Sequence, residues 1–185
     1  MRNRILSLVL ILAIGSGAAL FTGEAKAQTP TASANDASPD TQVMALESMC
    51  AETSEARASR QSQKSLYERL GKEKGIHNLT EEVVRLHLKN DDIKHLLDGV
   101  DSDKLADDVA LFLISGTGGP SVYDGPSLTD SHRHMKLTNA DFMAAGRDII
   151  QAMKNLGYEQ NEIDDLVCAF VGLRGMVVLA DGSAN

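Results

Sequence analysis

The chain predicts an all-α fold, and three observations carry that reading. Apolar side chains recur at steps of three and four along several separate stretches, the period of an amphipathic helix. Glycine and proline gather between those stretches, at Gly71, Gly99, Gly116 to Pro120 and Gly157, where they interrupt helices. Ser65 stands three residues ahead of Glu68, and Thr138 three ahead of Asp141, the spacing of a helix-opening capping box.

The first residues are read as a removable leader. Arg2 and Arg4 precede an apolar run, Leu6 to Leu20, and Ala25-Lys-Ala27 supplies a small-x-small cleavage site. Residues 1–27 are therefore expected to be a secretory signal peptide, and the mature protein periplasmic or secreted. Residues 28–40 are rich in Ser, Thr, Ala, Pro and Asp and predict a flexible linker. Residues 41–64 lack Gly and Pro and carry a weak stripe of Val43, Leu46 and Met49/Cys50. They predict one N-terminal helical extension that needs a surface to dock on.

Residues 65–180 form the expected globular domain. A short helix opens at Ser65 and stops at Gly71. Ile76, Leu79, Val83 and Leu86 then mark a helix to about Asn90. Leu86-His87-Leu88 alternates like a strand, but the longer helical period outweighs it. Asp91 to Leu97 predicts one more short helix, ended by Gly99. Asp101 opens the next, with Leu105, Val109 and Phe112 on one face. The Gly-rich elbow follows, then a polar run from Ser127 to Thr138. Thr138 caps a long helix whose buried face is Phe142, Ala145, Ile149, Met153 and Leu156. The last helix starts near Glu159 and buries Ile163, Leu166, Val167, Phe170 and Val171.

Charge excludes some partners. The formal net charge is −8, and −10 once residues 1–27, with three basic and one acidic side chain, are set aside. So acidic a chain has no footprint for nucleic acid or an anionic membrane. No stretch after the leader is apolar enough to span a bilayer, so no membrane contact is expected after cleavage. Cys50 and Cys168 permit one disulfide or two thiols. Cys168 points away from the core face of its helix, and a bridge to Cys50 would pin the N-terminal extension across the back of the domain.

The order of a helix, the elbow Ser115-Gly-Thr-Gly-Gly-Pro-Ser-Val-Tyr-Asp-Gly125, a short His132-bearing helix, and a long helix opening with Thr138 and Phe142 resembles the group I truncated haemoglobins. The resemblance implies a two-over-two helical sandwich with an extra N-terminal helix. It implies haem b as cofactor, with His132 as the proximal ligand of its iron. His134 is the rival, but on a helix the two rings point about 200° apart, and no third ligand cluster accompanies them. His77, His87 and His95 are read as surface or groove residues. Val83, Leu96, Leu97, Phe112, Leu113, Phe142 and Met153 fall where the family places pocket or core side chains. The cofactor-contacting set is His132, Val84, Leu97, Leu105, Val109, Phe112, Tyr123 and Phe142.

The distal side departs from the family. Val84 stands where a tyrosine is usual, Leu105 and Val109 where polar partners are frequent, and Leu96 or Leu97 where a phenylalanine packs on the haem. Asp108 replaces a basic residue that often reaches a propionate. The implied function is reversible binding of a diatomic gas: oxygen, nitric oxide or carbon monoxide. Binding or sensing is favoured over turnover, because peroxidase or dioxygenase work wants polar groups beside the iron. The alternatives are haem-dependent removal of nitric oxide or peroxide, with a reductase partner the sequence does not identify, and a globin-fold interaction module without haem.

Overall fold

The computed structural model describes residues 37–179, so the expected signal peptide and residues 28–36 of the expected linker lie outside the described residues. The described residues form eight α-helices joined by turns, with no strand among them. The first, α1 (Pro39–Glu52), begins inside the stretch expected to be linker. Ser38 caps it by accepting from the Thr41 N–H, and Pro39 takes the first turn, where a missing N–H costs nothing.

The extension is two helices rather than one. α2 (Ser54–Gln63) is separated from α1 by Thr53. The Thr53 hydroxyl donates to the Met49 carbonyl at 2.8 Å, and its backbone N–H reaches the same oxygen at 3.1 Å. The hydroxyl thus adds a second donor to a carbonyl that keeps its ladder bond, a side-chain bond that bends helices, and the helix is interrupted at this residue.

α3 (Leu66–Arg69) carries the complete capping box of Ser65 and Glu68, and Gly71 follows it at φ 88°. α4 (Lys72–His87) starts four residues ahead of its first periodic apolar residue, Ile76. Its first turn crosses the end of α3 so closely that a Cβ on Gly75 would lie 1.9 Å from the Leu70 carbonyl. Tyr158 closes the crossing, its hydroxyl lying 2.8 Å from the Leu70 oxygen and 3.2 Å from that of Gly75.

The helix expected over 91–97 is only a 3₁₀ turn, Lys94–Leu97. Asn90 takes up the preceding backbone, accepting from Asp92 N–H on its side chain and from Ile93 and Lys94 on its carbonyl. α5 (Ser102–Gly116) opens on Asp101, whose carboxylate accepts from Asp103 and Lys104 N–H, both at 3.1 Å. After the elbow come α6 (Leu128–His132), a 3₁₀ turn at Arg133–Met135, α7 (Asn139–Asn155) and α8 (Gln160–Val177). Thr138 and Asp141 complete a second capping box.

α4 lies along α5, α7 lies beside α8, and α4 crosses α7, giving the two-over-two sandwich. Leu70, Ile76, Leu79, Ile114, Met153 and Leu166 fill the space between the pairs. Fully burying such side chains stabilises by about 1.5–3 kcal/mol each. Leu156, expected on the buried face of α7, is 43% exposed. It caps the helix just before Gly157 turns the chain at φ 78°, beyond the last residue that meets the core.

The extension is fastened to one turn of α8. Cys50 and Cys168 are bridged, and Arg60 of α2 pairs with Asp165. Asp165 also holds Arg69 of α3 at 2.5 Å, and Arg69 reaches Glu162 at 3.0 Å. α1 packs against both α7 and α8. At its other end Glu47 meets Arg174 at 3.1 Å, and Asp40 accepts from Asn139 at 2.7 Å.

Candidate functional site

His132 ends α6, a helix of five residues. So short a helix does not persist alone. Ser127 caps it by accepting from Asp130 N–H at 3.1 Å, and α6 rests on α8. The His132 ring is half-buried, and its Nδ1 lies 2.8 Å from the Leu128 carbonyl oxygen. A carbonyl can only accept, so Nδ1 carries the proton. In the neutral ring this leaves the lone pair on Nε2, aimed and free to bind a metal.

The other histidines differ. His77 and His87 direct Nδ1 at carboxylates, Asp107 at 3.3 Å and Asp148 at 2.8 Å. His95 and His134 are exposed, and His134 lies in the 3₁₀ turn after α6. Among the described residues no group of three or more His, Cys, Asp or Glu forms a cage for a bare metal ion.

α5 has two apolar stripes. Ala106, Ala110, Leu113 and Ile114 are buried, and this side lies along α4. Leu105, Val109 and Phe112, expected on one face of this helix, are half-buried, and Val109 and Phe112 pack against the edge of the core. α5 meets α7 and α8 through core side chains, Ala110, Leu113 and Ile114 clustering with Met153 and Leu166. On the other helices Phe142, Ala145 and Ile149 of α7, and Phe170 and Leu173 of α8, are likewise half-buried. An apolar cavity of about 220 Å³ lies between α5 and α8, lined by Phe112, Leu113, Gly116, Thr117, Leu166 and Phe170 among others. A larger groove of about 500 Å³ over Gln61 to Ser65 and Gly118 to Pro120 is open and lined by polar side chains, so it offers no apolar wall.

The remaining expected contacts divide. Val84 is 5% exposed and lies outside the main core cluster. Val83, Leu113 and Met153 belong to that cluster and are core. Leu96 and Leu97 sit half-buried on the 3₁₀ turn before α5. The Tyr123 ring packs edge-on against Phe112, with centroids 5.4 Å apart and an interplanar angle of 83°. Its hydroxyl donates to the Pro126 carbonyl at 2.8 Å, so its polar end is spent on the elbow. A Cβ at Gly125 would come within 2.6 Å of the ring, so a larger residue there would have to displace Tyr123. Ser115 ties the elbow down, its oxygen accepting from the N–H groups of Val122 and Tyr123 at 3.0 Å each.

One polar cluster was not foreseen. His87, expected to be a surface or groove residue, and Asn90 both meet the Asp148 carboxylate, at 2.8 and 2.9 Å, joining the end of α4 to α7. The partners are separated by 61 and 58 residues, and no local sequence pattern links them.

A family model described as bacterial-like globin matches residues 65–178, well over half of the chain. The group 1 truncated hemoglobin of Tetrahymena pyriformis is 28% identical over 101 residues, covering 55% of this chain and 84% of that protein. Another group 1 truncated hemoglobin, from Synechocystis sp., is 26% identical over 106 residues, covering 55% and 86%. The crystal structure of the Tetrahymena pyriformis truncated hemoglobin in its Fe(III) form superposes with a TM-score of 0.60 at 25% identity, covering 62% of this chain and 98% of that one. The 2/2 hemoglobin of Synechococcus sp., solved in the cyanomet state with covalently attached heme, shares the fold at 24% identity and a TM-score of 0.59, covering 63% and 99%.

Proposed function

Because the chain belongs to the bacterial-like globin family, we propose that it is a haem b protein, with His132 as the axial ligand and a diatomic gas as its substrate. The observation that carries the reading is the His132 hydrogen bond to Leu128 O. It fixes the tautomer and the ring plane and leaves Nε2 as the donor atom, as an iron ligand requires. The half-buried stripe of Leu105, Val109 and Phe112, with Phe142 of α7 and Leu97, supplies apolar walls for a flat macrocycle. Tyr123 holds Phe112 in place from the elbow.

Haem supplies an iron with one coordination position open to a small ligand. The residues that would meet the bound gas are apolar: Val84, Leu105 and Val109 carry no side-chain hydrogen-bond donor. Bound oxygen carries partial negative charge and gains from a donor; carbon monoxide and nitric oxide gain less. The site therefore releases oxygen fast, and with no proton-moving group among these three it favours binding or sensing over turnover. Periplasmic or secreted placement follows from the leader read in residues 1–27, and the mature N-terminus is checked by intact mass.

The test is an absorption spectrum of the purified protein with stoichiometric haem, in the ferrous and ferrous–carbonyl states. His132→Gly should lose the proximal histidine signature and regain it with added imidazole. His134→Ala should leave the spectrum unchanged. If His132→Gly keeps the wild-type ferrous spectrum while His134→Ala changes it, the axial assignment is wrong. If the wild type takes up no haem, the interaction-module reading replaces this one.

A further inference from the structure

We propose that the Cys50–Cys168 bridge is a one-way latch, closed by thiol oxidation, which fixes the helix behind His132 and thereby sets how firmly the pocket holds its ligand-bearing group. The latch itself stands on the geometry alone; its effect on haem rests on the reading above. α1 and α2 lie ahead of the segment matched by the globin family, residues 65–178, so the domain's own helices do not require them. They land on α8 within a single turn, Arg60 on Asp165 and Cys50 on Cys168. The same stretch of α8 buries Leu166 in the core and lends Leu166, Ala169 and Phe170 to the apolar cavity. α6, the five-residue helix that carries His132, has its extended packing on α8 and on the 3₁₀ turn that follows it. A brace on the back of α8 is therefore passed to His132 through one packed helix.

Burial makes the latch directional. The bridged Cys50 and Cys168 are 7% and 5% exposed, so a thiolate cannot reach the sulfurs while α1 is docked. In the reduced chain α1 is held by a thin apolar contact, with only Val43 and Cys50 buried along its 14 residues, and by exposed polar bonds from Glu47 and Asp40, so its undocking uncovers both thiols. Closure then needs a disulfide-bearing oxidant. One cysteine thiolate attacks a sulfur of that oxidant and forms a mixed disulfide. That attack releases the oxidant's other sulfur as a thiolate, and the second cysteine thiolate then attacks the first cysteine's sulfur and displaces the oxidant sulfur bound to it. The Cys50–Cys168 bond forms, the oxidant leaves as a dithiol, and the two electrons and two protons go with it. After that α1 re-docks and shelters the bond.

The experiment compares oxidised full-length protein with Cys50→Ser/Cys168→Ser, and with Cys50→Ala alone should the double variant fail to fold. Excess dithiothreitol followed by alkylation should leave the oxidised native protein unmodified and label two thiols only when urea is added. Amide exchange in α6 and α8 should be faster in the variants, and haem transfer to excess apomyoglobin at least about tenfold faster, the effect of about 1.4 kcal/mol on a rate. Ready reduction of the native protein overturns the one-way closure. Equal exchange in α6 and α8 overturns the brace. Uptake of haem with equal transfer rates overturns the coupling to the pocket. If no form takes up haem, the functional reading fails, while alkylation and exchange still decide the latch.

Discussion

Val109→Gln is the sharpest perturbation of the pocket's chemistry. Val109 lies in the middle of α5 on the half-buried stripe with Leu105 and Phe112, at the edge of the core. A glutamine there keeps its stem on the apolar surface and brings an amide donor to the apolar wall proposed for the haem. The site is partly open, so the amide gives up only a fraction of its hydration. One hydrogen bond to a bound ligand is worth about 0.5–1.5 kcal/mol net, which slows release by about twofold to about tenfold. Val84→Tyr offers a donor from α4, but Val84 is 5% exposed. Forcing a ring into that space costs roughly 1–3 kcal/mol of stability, so its kinetic gain should come with a lower unfolding midpoint. Stopped-flow displacement of oxygen by carbon monoxide from the ferrous protein measures the rate. Oxygen release should slow in Val109→Gln while carbon monoxide release barely changes. Slow oxygen release in the wild type, or equal slowing of both gases, would show that the stripe does not face the bound ligand.

Two further expectations concern stability. Burial alone would raise the Asp165 carboxyl, but hydrogen bonds from Arg60 and Arg69 outweigh it and hold it below its ordinary value of 3.8. The unfolded chain therefore binds the proton first as pH falls, so this contribution is complete above about pH 4 and is lost as pH drops through the lower, folded value. Asp165→Asn should lose about 1.5–3 kcal/mol at pH 7, the worth of a hydrogen bond to a charged group, and the gap to wild type should narrow below pH 4 in urea titrations; a constant gap would acquit the carboxylate. Gly75→Ala places a Cβ against backbone at 1.9 Å and should destabilise by about 3 kcal/mol or more. Gly172→Ala, in an exposed interior position of α8 with nothing within 4 Å, should stabilise by roughly 0.5–1 kcal/mol. Thermal unfolding of the pair separates them, and like signs would refute the crossing geometry.

What was legible in the sequence was local. Ser65 with Glu68, Thr138 with Asp141 and the turn at Gly71 are decided within a few residues, so their chemistry declares them. The misses came from a local side-chain bond or from distance. Thr53 carries no glycine or proline signal, yet its hydroxyl adds a bond to the Met49 carbonyl where the extension is interrupted. α4 begins at Lys72 because Tyr158, 83 residues beyond Gly75, binds the crossing of the chain there. The Cys50–Cys168 pairing was one of two options until the docked α1 brought the Cα atoms to 5.4 Å.

The candidate site could be named from the sequence as residues but not as faces. Leu105, Val109 and Phe112 keep a helical period, and that period is what a core face looks like in sequence. Ala106, Ala110 and Leu113 keep the same period one step along, and only the tertiary contact tells the two stripes apart. Ala106, Ala110 and Leu113 are buried, while Leu105, Val109 and Phe112, about 100° round the helix, are half-buried, Val109 and Phe112 resting on the edge of the core. A helix that spends its small residues on its partner and keeps its large apolar residues half-open is built to hold two things at once. On α5 the first is α4. The second, by the proposal above, is a flat cofactor held by His132, whose ring is oriented by a backbone carbonyl rather than a carboxylate. The position of His132 in the chain makes it the candidate ligand, and the bond to Leu128 holds its ring in the orientation that the proposal requires.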